Sequence, residues 1–211
     1  MARKQKTSSR AGGRKSSGRE RASRSRSARS AAGRSAGASR SRRDGRVTDV
    51  ISFLKRQHDQ TRKLFQALAV AEGDARRETF ARLADLLAVH AKLEEQMIYP
   101  EMARAGGLEE FVHDSLEEHL VVKRILADLL EKNLDERVFD AKCRVLELEV
   151  ARHLDEEEAA LFPKARRALG RERGQGLLAE MQQQFEQLMQ HEPRSRVPNE
   201  TDSAPTLPTL Q

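Results

Sequence analysis

The sequence that decides the fold of this chain occurs twice, as HLDEEE at residues 153–158 and as HAKLEE at residues 90–95. In each copy a histidine precedes a glutamate by four residues, so both side chains lie on one face of an α-helix. A separate histidine stands upstream of each copy, at His58 and at His119. This repetition indicates one domain built from two related halves.

Apolar residues spaced three and four apart predict four long helices around these motifs. The predicted helices run from Val47 to about Gly73, from Asp74 to about Gly106, from Leu108 to Asn133 and from Asp135 to Leu169. Short connections between helices of this length favour an all-α fold, an antiparallel up-down four-helix bundle made of two helical hairpins. Thr48 or Asp49 can cap the first helix, and Gly170 suits the end of the fourth.

The domain organisation follows from these helices and from the composition of both ends. Residues 47–169 form the predicted bundle, and residues 170–191 form an additional C-terminal helix. Residues 1–46 lack Leu, Ile, Val, Phe, Tyr and Trp, and residues 192–211 are polar with several prolines. Neither end has enough apolar surface to offset the entropy cost of ordering, so we expect both to be disordered.

The N-terminal arm, residues 1–46, is strongly basic. It holds 16 Lys/Arg and two acidic residues, a formal charge of about +14, whereas the remainder of the chain carries about −8. Three interpretations are open: a solvated arm with weak electrostatic contacts, a contact for nucleic acid or another polyanion, or a transit peptide. Polyanion binding would be non-specific and salt-sensitive, because phosphate contacts release counterions and the arm has no aromatic residue for base stacking. A transit peptide would need large apolar residues for its amphipathic helix, and the arm has none.

The rest of the composition indicates the cellular compartment in which we expect the protein. The single cysteine, Cys143, excludes an internal disulfide framework and favours a reducing, cytoplasmic location. No apolar run approaches the roughly 20 residues that cross a bilayer. No apolar stretch near Met1 has the character of a secretory signal, so we expect neither export nor a membrane segment.

Four histidines and two glutamates interrupt the apolar stripes that the predicted helices turn toward the core. They are His58, His90, Glu94, His119, His153 and Glu157. Burying such groups without partners would cost about 1–3 kcal/mol each. A metal removes this cost, since imidazole and carboxylate groups suit iron, manganese or zinc. One His-x3-Glu pair alone is typical of a surface ion pair, but two pairs and two further histidines in a duplicated layout predict a metal site.

This order of residues, with a Glu-Glu step and an aromatic-Pro step after each pair, resembles the bacterial type of hemerythrin-like HHE cation-binding domain. The likeness covers about residues 48–165, and its aromatic-Pro steps are Tyr99-Pro100 and Phe162-Pro163. The resemblance implies a four-helix bundle around a di-iron site, with the six residues above as ligands and with Glu94 and Glu157 as bridges. The resemblance implies that iron is favoured over manganese or zinc as the bound metal.

The resemblance also bounds the function. The chain departs from the oxygen-carrying hemerythrins of invertebrates, because it has no His-x3-His pair. Binding or sensing of O2, peroxide, nitric oxide or iron is therefore favoured over simple oxygen storage, and a weak peroxidase-like, catalase-like or NO-related activity would be compatible. A different function is open as well: a metal-stabilised interaction module that residues 1–46 tether to nucleic acid. The sequence identifies no catalytic residue.

Acidic residues beside the six candidate ligands carry further expectations. Glu95 and Glu158 lie about 100° further round their helices, where they can pair at the surface or hydrogen-bond to a ligand from outside. Glu118 and Asp59 adjoin histidines, and we expect both to be solvated.

Aromatic and reactive side chains complete the set of expectations. Tyr99 and Phe162 are placed to shield the site, and Tyr99 is a candidate hydrogen-bond donor to a bound oxygen species. His113 lies six residues before His119, on another face of its helix, and His191 belongs to the tail, so neither is expected at the site. Cys143 follows the core spacing of its helix and is expected to be a packing residue.

Overall fold

The computed structural model describes residues 47–131 and 134–207, and these residues form helices and no strand. The described α-helices are α1 (Val50–Leu68), α2 (Gly73–Leu93), α3 (Tyr99–Ala105), α4 (Glu109–Leu129), α5 (Glu136–Glu156) and α6 (Phe162–Met189). Two π-helical segments, Glu94–Ile98 and Glu157–Leu161, and a 3-10 helix, Pro193–Asn199, complete the order. The all-α prediction is confirmed. The predicted disorder of residues 1–46 and 208–211 lies outside the described residues.

Capping residues and glycines set the ends of these helices. The Asp49 carboxylate accepts the Ser52 N–H at 2.7 Å, and the Ser52 hydroxyl accepts the Asp49 N–H at 3.0 Å, which closes a reciprocal cap on α1. Gly170 interrupts α6 with φ 69° and ψ 175°, where the sequence predicted a helix end. The helix predicted to reach Gly73 ends earlier, at Leu68, and the one predicted to reach Asn133 ends at Leu129.

The two prolines of the repeat lie just after the π-helical segments. A proline lacks an amide hydrogen, and its ring crowds the carbonyl four residues earlier. The wider π turn accommodates this, because the Tyr99 N–H donates to the Glu94 carbonyl and the Phe162 N–H donates to the Glu157 carbonyl, both five residues back. The helical path therefore continues past Pro100 and Pro163 instead of stopping there. Each π segment begins at a candidate ligand.

Two apolar clusters are stacked along the helices, and the predicted site lies between them. Along α1, Leu54 belongs to the first cluster and Leu64 to the second, with His58 between them. On α4, His119 likewise lies between Leu116 of the first cluster and Val122 of the second. Helix α1 packs against α2, α4 against α5, and α6 against α1 and α2. The predicted site thus forms a polar layer across the helices, and apolar side chains cover this layer on both sides.

The prediction of a disordered tail from residue 192 is wrong for residues 193–207. The 3-10 helix packs against α2 and α4, and its Val197 is buried. Arg194 pairs with Asp85, and the Arg124 guanidinium donates to the carbonyls of Thr201 and Asp202 at 3.0 and 3.1 Å. Prolines lower the entropy cost of ordering this segment, and ion pairs with the bundle supply contacts that its few apolar residues cannot.

Replacing Val197 with aspartate is expected to detach the tail segment from α2 and α4. Burying a carboxylate without a partner is costly, so the segment would leave and lose the roughly 1.5–3 kcal/mol that burial of a valine contributes. Limited proteolysis and urea unfolding measure the change. Val70→Asp is the matched control, because Val70 is 83% exposed. Equal protease sensitivity of the two variants would contradict the packing described.

None of the helices in the described part of the chain combines the length and apolar character that crossing a bilayer requires.

Candidate metal centre

The six side chains singled out by the sequence meet in the polar layer at the middle of the protein. The helices α1, α4 and α5 supply His58, His119 and His153, α2 supplies His90, and the first residue of each π segment supplies Glu94 or Glu157. None of the six is more than 4% exposed.

The donor atoms of these residues form two groups that share Glu94. Position 1 comprises His58, His90, Glu94 and Glu157, and position 2 comprises Glu94, His119 and His153; within each group the donor atoms lie within 4.8 Å of one another. The Nε2 atoms of His58 and His90 are 3.2 Å apart, and those of His119 and His153 are 3.1 Å apart. Each pair of imidazoles comes from one half of the duplication.

Both carboxylates reach across from one position to the other. Glu94 Oε2 lies 3.2 Å from His90 Nε2 and 3.5 Å from His119 Nε2. Glu157 Oε2 lies 3.3 Å from His58 Nε2 and 3.6 Å from His153 Nε2. Each glutamate therefore contacts one histidine of each half, which is the placement that a bridging carboxylate needs.

The outer nitrogen of every histidine has a hydrogen-bond acceptor. The Nδ1 atoms of His58, His119 and His153 donate to Glu158 at 3.0 Å, Glu95 at 3.1 Å and Glu118 at 2.7 Å, and His90 Nδ1 donates to Gln57 at 2.8 Å. Carboxylate and amide oxygens accept hydrogen bonds only, so these contacts place the proton on Nδ1 and leave the Nε2 lone pair facing inward. The four imidazoles are oriented as metal ligands are.

These acceptors follow the duplication in a regular way. Gln57 and Glu118 each precede the first histidine of a half and contact the second histidine of the same half. Glu95 and Glu158 each follow a candidate bridge and contact the first histidine of the opposite half. The expectation that Glu118 is solvated is wrong, since its side chain is 17% exposed and bonded to His153. Gln57 escaped notice, although extending the repeat by one residue upstream would have found it.

Each carboxylate that supports a histidine also has a cationic partner. Arg62 donates to Glu158 at 2.8 Å, the buried Lys123 donates to Glu95 at 2.9 Å, and Arg152 pairs with Glu118. The hydrogen bond from His153, joined by Arg152, lowers the pKa of Glu118 to about 2. The hydrogen bond from His58, joined by Arg62, lowers the pKa of Glu158 to about 2. These acids therefore stay ionised and hold the imidazoles in place.

The protein alone compensates the inner groups unevenly: burial opposes ionisation of Glu157, but His153 and His58 still lower its pKa below the usual range. Burial raises the pKa of Glu94 well above its usual range, and the charge of Glu157 raises it further. Burial and the neighbouring His58 lower the pKa of His90, so its imidazole is neutral. Glu94 Oε1 and Glu157 Oε2 have no hydrogen-bond partner among the described residues. The inward Nε2 atoms and the carboxylate oxygens that lack a hydrogen bond fit a set of donors that a cation would satisfy.

Two aromatic rings cover the histidines, as the sequence suggested. Phe162 stacks on His58 with ring centroids 5.2 Å apart, and Tyr99 stacks on His119 at 5.6 Å. The Tyr99 hydroxyl lies inside the cluster and donates to Glu157 Oε1 at 3.0 Å. Both rings are fully buried, so they separate the polar layer from solvent on this side.

The remaining candidates lie away from the site. His113 and His191 are exposed, and so is Asp59, as expected of a solvated acid. Cys143 is half-buried beside the second apolar cluster, and burial raises the pKa of its thiol to about 11, which suits a packing residue.

The helical fold and the buried His/Glu cluster define a class of helical cation-binding proteins. The chain matches the hemerythrin family, described as the hemerythrin HHE cation-binding domain, over residues 49–165. This match covers more than half of the chain, and the protein belongs to that family. Comparison with curated proteins gave no match, and comparison with solved structures gave none.

Proposed function

We propose that this protein is a non-haem di-iron protein that binds or senses a small ligand such as O2, peroxide or nitric oxide, or iron itself. The observation that carries the proposal is the convergence of four inward Nε2 atoms on two carboxylates that each contact both halves. His58 and His90 would hold one ion, His119 and His153 the other, and Glu94 and Glu157 would bridge them. This mixture of imidazole and carboxylate suits iron, manganese or zinc, and membership of the hemerythrin family favours iron among them.

The arrangement of the helices supports the same proposal. We infer an antiparallel up-down four-helix bundle, because α1 packs on α2, α4 packs on α5, and each pair is joined by a short connection. Such a bundle brings ligands from four helices to one level. The single cysteine supports a reducing, cytoplasmic location for the protein.

The residues around the ions have definite tasks in this proposal. Bound iron would supply redox chemistry. Because six protein side chains serve two ions, coordination positions would stay open for an external ligand. The four imidazoles are held by their outer hydrogen bonds, which also raise their basicity as ligands. The stacked rings of Tyr99 and Phe162 keep bulk water from His119 and His58. A small diatomic ligand or peroxide suits so enclosed a site better than a large substrate does.

Metal analysis and ligand binding test the proposal together. Protein purified from iron-replete cells is expected to contain about two irons per chain. The reduced iron protein is then expected to change its absorption on addition of nitric oxide or O2. Protein that holds zinc alone, or no metal after incubation with ferrous iron under anaerobic conditions, would overturn the di-iron assignment.

Changing Glu118 to glutamine is expected to weaken iron binding about 10–100-fold, the usual effect of losing an outer hydrogen-bond partner of a metal-bound histidine. The amide cannot stabilise the His153 N–H as the ionised carboxylate does. Competition against a calibrated chelator measures the affinity. Glu117→Gln is the matched control, because Glu117 is the exposed neighbour of Glu118. Equal affinities would show that Glu118 does not support a ligand.

A second candidate function rests on the basic arm, residues 1–46. In this alternative the metal stabilises an interaction module, and the arm tethers it to nucleic acid. The support is the charge separation, with 16 Lys/Arg against two acids in the arm and an acidic remainder. The absence of aromatic residues from the arm points to phosphate contacts without base recognition.

Full-length protein is expected to bind duplex DNA without sequence preference, and a chain starting at Asp44 is expected to lose that binding. Affinity should fall steeply with salt, by about 10³-fold or more between 50 and 200 mM if six or more phosphates are neutralised. Fluorescence anisotropy across a salt series measures both effects. Equal binding by the two chains would remove the arm from consideration.

A further inference from the structure

The duplication that builds the site differs between its halves at one aromatic position. Phe162 of the second half stacks on His58, and Tyr99 of the first half stacks on His119. The two rings occupy equivalent places at the end of a π segment, each five residues after a candidate bridging glutamate. The difference between them is one hydroxyl group, and it lies on the side of position 2.

The Tyr99 hydroxyl is as close to the candidate ligand atoms as those atoms are to one another. Its oxygen lies 3.0 Å from Glu157 Oε1, 3.3 Å from Glu94 Oε2 and 3.3 Å from His119 Nε2. Neighbouring candidate ligand atoms are 3.1–3.6 Å apart, and the atoms of each group lie within 4.8 Å of one another. Tyr99 is fully buried, so this placement is fixed by packing.

The two positions therefore differ in whether the stacked aromatic ring can add a donor atom. Glu94 and Glu157 each contact one histidine of either position, so each position has two histidines and a share of both glutamates. The Tyr99 oxygen contacts His119 and both glutamates, and it would add one oxygen donor to position 2. On the opposite side, the Phe162 ring stacks on His58 and offers no donor to position 1.

We propose that Tyr99 is a direct metal ligand, an additional protein donor at position 2, which makes the two metal positions chemically different. This inference rests on the proposed di-iron function. To hold ferric iron in this way, the Tyr99 oxygen would have to lose its hydroxyl proton, which would pass first to its hydrogen-bond acceptor, Glu157 Oε1 at 3.0 Å, and then out of the site. The alternative role is a hydrogen bond to Glu157 alone, in which the oxygen keeps its proton.

The chain is suited to a spectroscopic test, because it has one tyrosine and no tryptophan. Full-length protein is loaded with ferrous iron, oxidised in air, and examined by visible absorption and resonance Raman spectroscopy. We expect a phenolate-to-iron charge-transfer band with enhanced tyrosine ring modes, and complete loss of both in Tyr99→Phe. That variant reproduces the ring present at Phe162, so a fold change is not expected, and circular dichroism checks this.

The mirror variant gives a second, independent readout. Phe162→Tyr in the Tyr99→Phe background moves the hydroxyl to position 1, and we expect the phenolate signal to return with altered energy. Iron-loaded wild type without a phenolate signal would overturn the tyrosine proposal and leave the di-iron function standing. Wild type that binds no iron would overturn both, and the iron content measured on the same sample separates the two failures.

Discussion

Glu94→Gln is expected to reduce the iron content of the purified protein from about two ions per chain to nearly none. Glu94 is the residue common to both positions, with Oε2 3.2 Å from His90 Nε2 and 3.5 Å from His119 Nε2. The amide has almost the same shape as the carboxylate but carries no charge to offset two cations. Elemental analysis of the purified variant measures the loss.

The fold of the Glu94→Gln variant is expected to persist, since the change removes a buried acid whose pKa is raised by burial and by Glu157. Circular dichroism of variant and wild type tests this. Glu147→Gln is the matched control, because Glu147 is exposed on α5 and lies outside the cluster. Retention of two irons by Glu94→Gln would show that the shared carboxylate is not a bridge.

Removing the metal is expected to give the second largest effect, a loss of stability of about 3–4 kcal/mol. A ligand present at 100 to 1,000 times its dissociation constant stabilises the folded state by about that amount. For a chain of this size the loss corresponds to a fall of roughly 10 °C in the unfolding midpoint. Thermal unfolding with and without a strong chelator measures it.

Glu94→Gln also serves as the control for the chelator. Because that variant is expected to hold no iron, its unfolding midpoint is expected to be the same with and without chelator. A chelator effect of equal size in wild type and variant would mean that the chelator acts on the protein directly. No effect in wild type would mean that the cluster is stable without a cation, although Glu94 and Glu157 each bury an oxygen that lacks a hydrogen bond.

Much of the helical fold was predictable from residue spacing. The 3.6-residue period of apolar side chains is a local property, so it located the first residues of α1, α2, α4 and α5 to within three positions. The cap at Asp49 and the break at Gly170 were predictable for the same reason. The tail was not, because residues 193–207 are ordered by partners on other elements, such as Asp85 for Arg194. Composition shows how much apolar surface a segment can bury. It does not show whether another part of the protein offers a surface on which the segment can pack.

The inner site was more predictable than its surroundings. His58 and Glu157 stood out because a polar residue in an apolar stripe is anomalous within its own helix. The partners of the outer nitrogens were harder to predict, since Glu158 meets a histidine 100 positions away and Glu118 meets one 35 positions away. An acidic residue next to a histidine in sequence lies on a different side of the helix. Its position therefore does not show which histidine it contacts.

The sequence by itself determined the duplication, the helical class and the six side chains that meet in the core. It could do so because helical periodicity converts spacing along the chain into a shared face. The tertiary structure alone decided which acid supports which histidine, the position of the Tyr99 hydroxyl between both carboxylates, and the docking of the tail. Those contacts depend on how far each helix is shifted along its axis and rotated relative to its neighbours. The packing of the two apolar clusters sets both quantities.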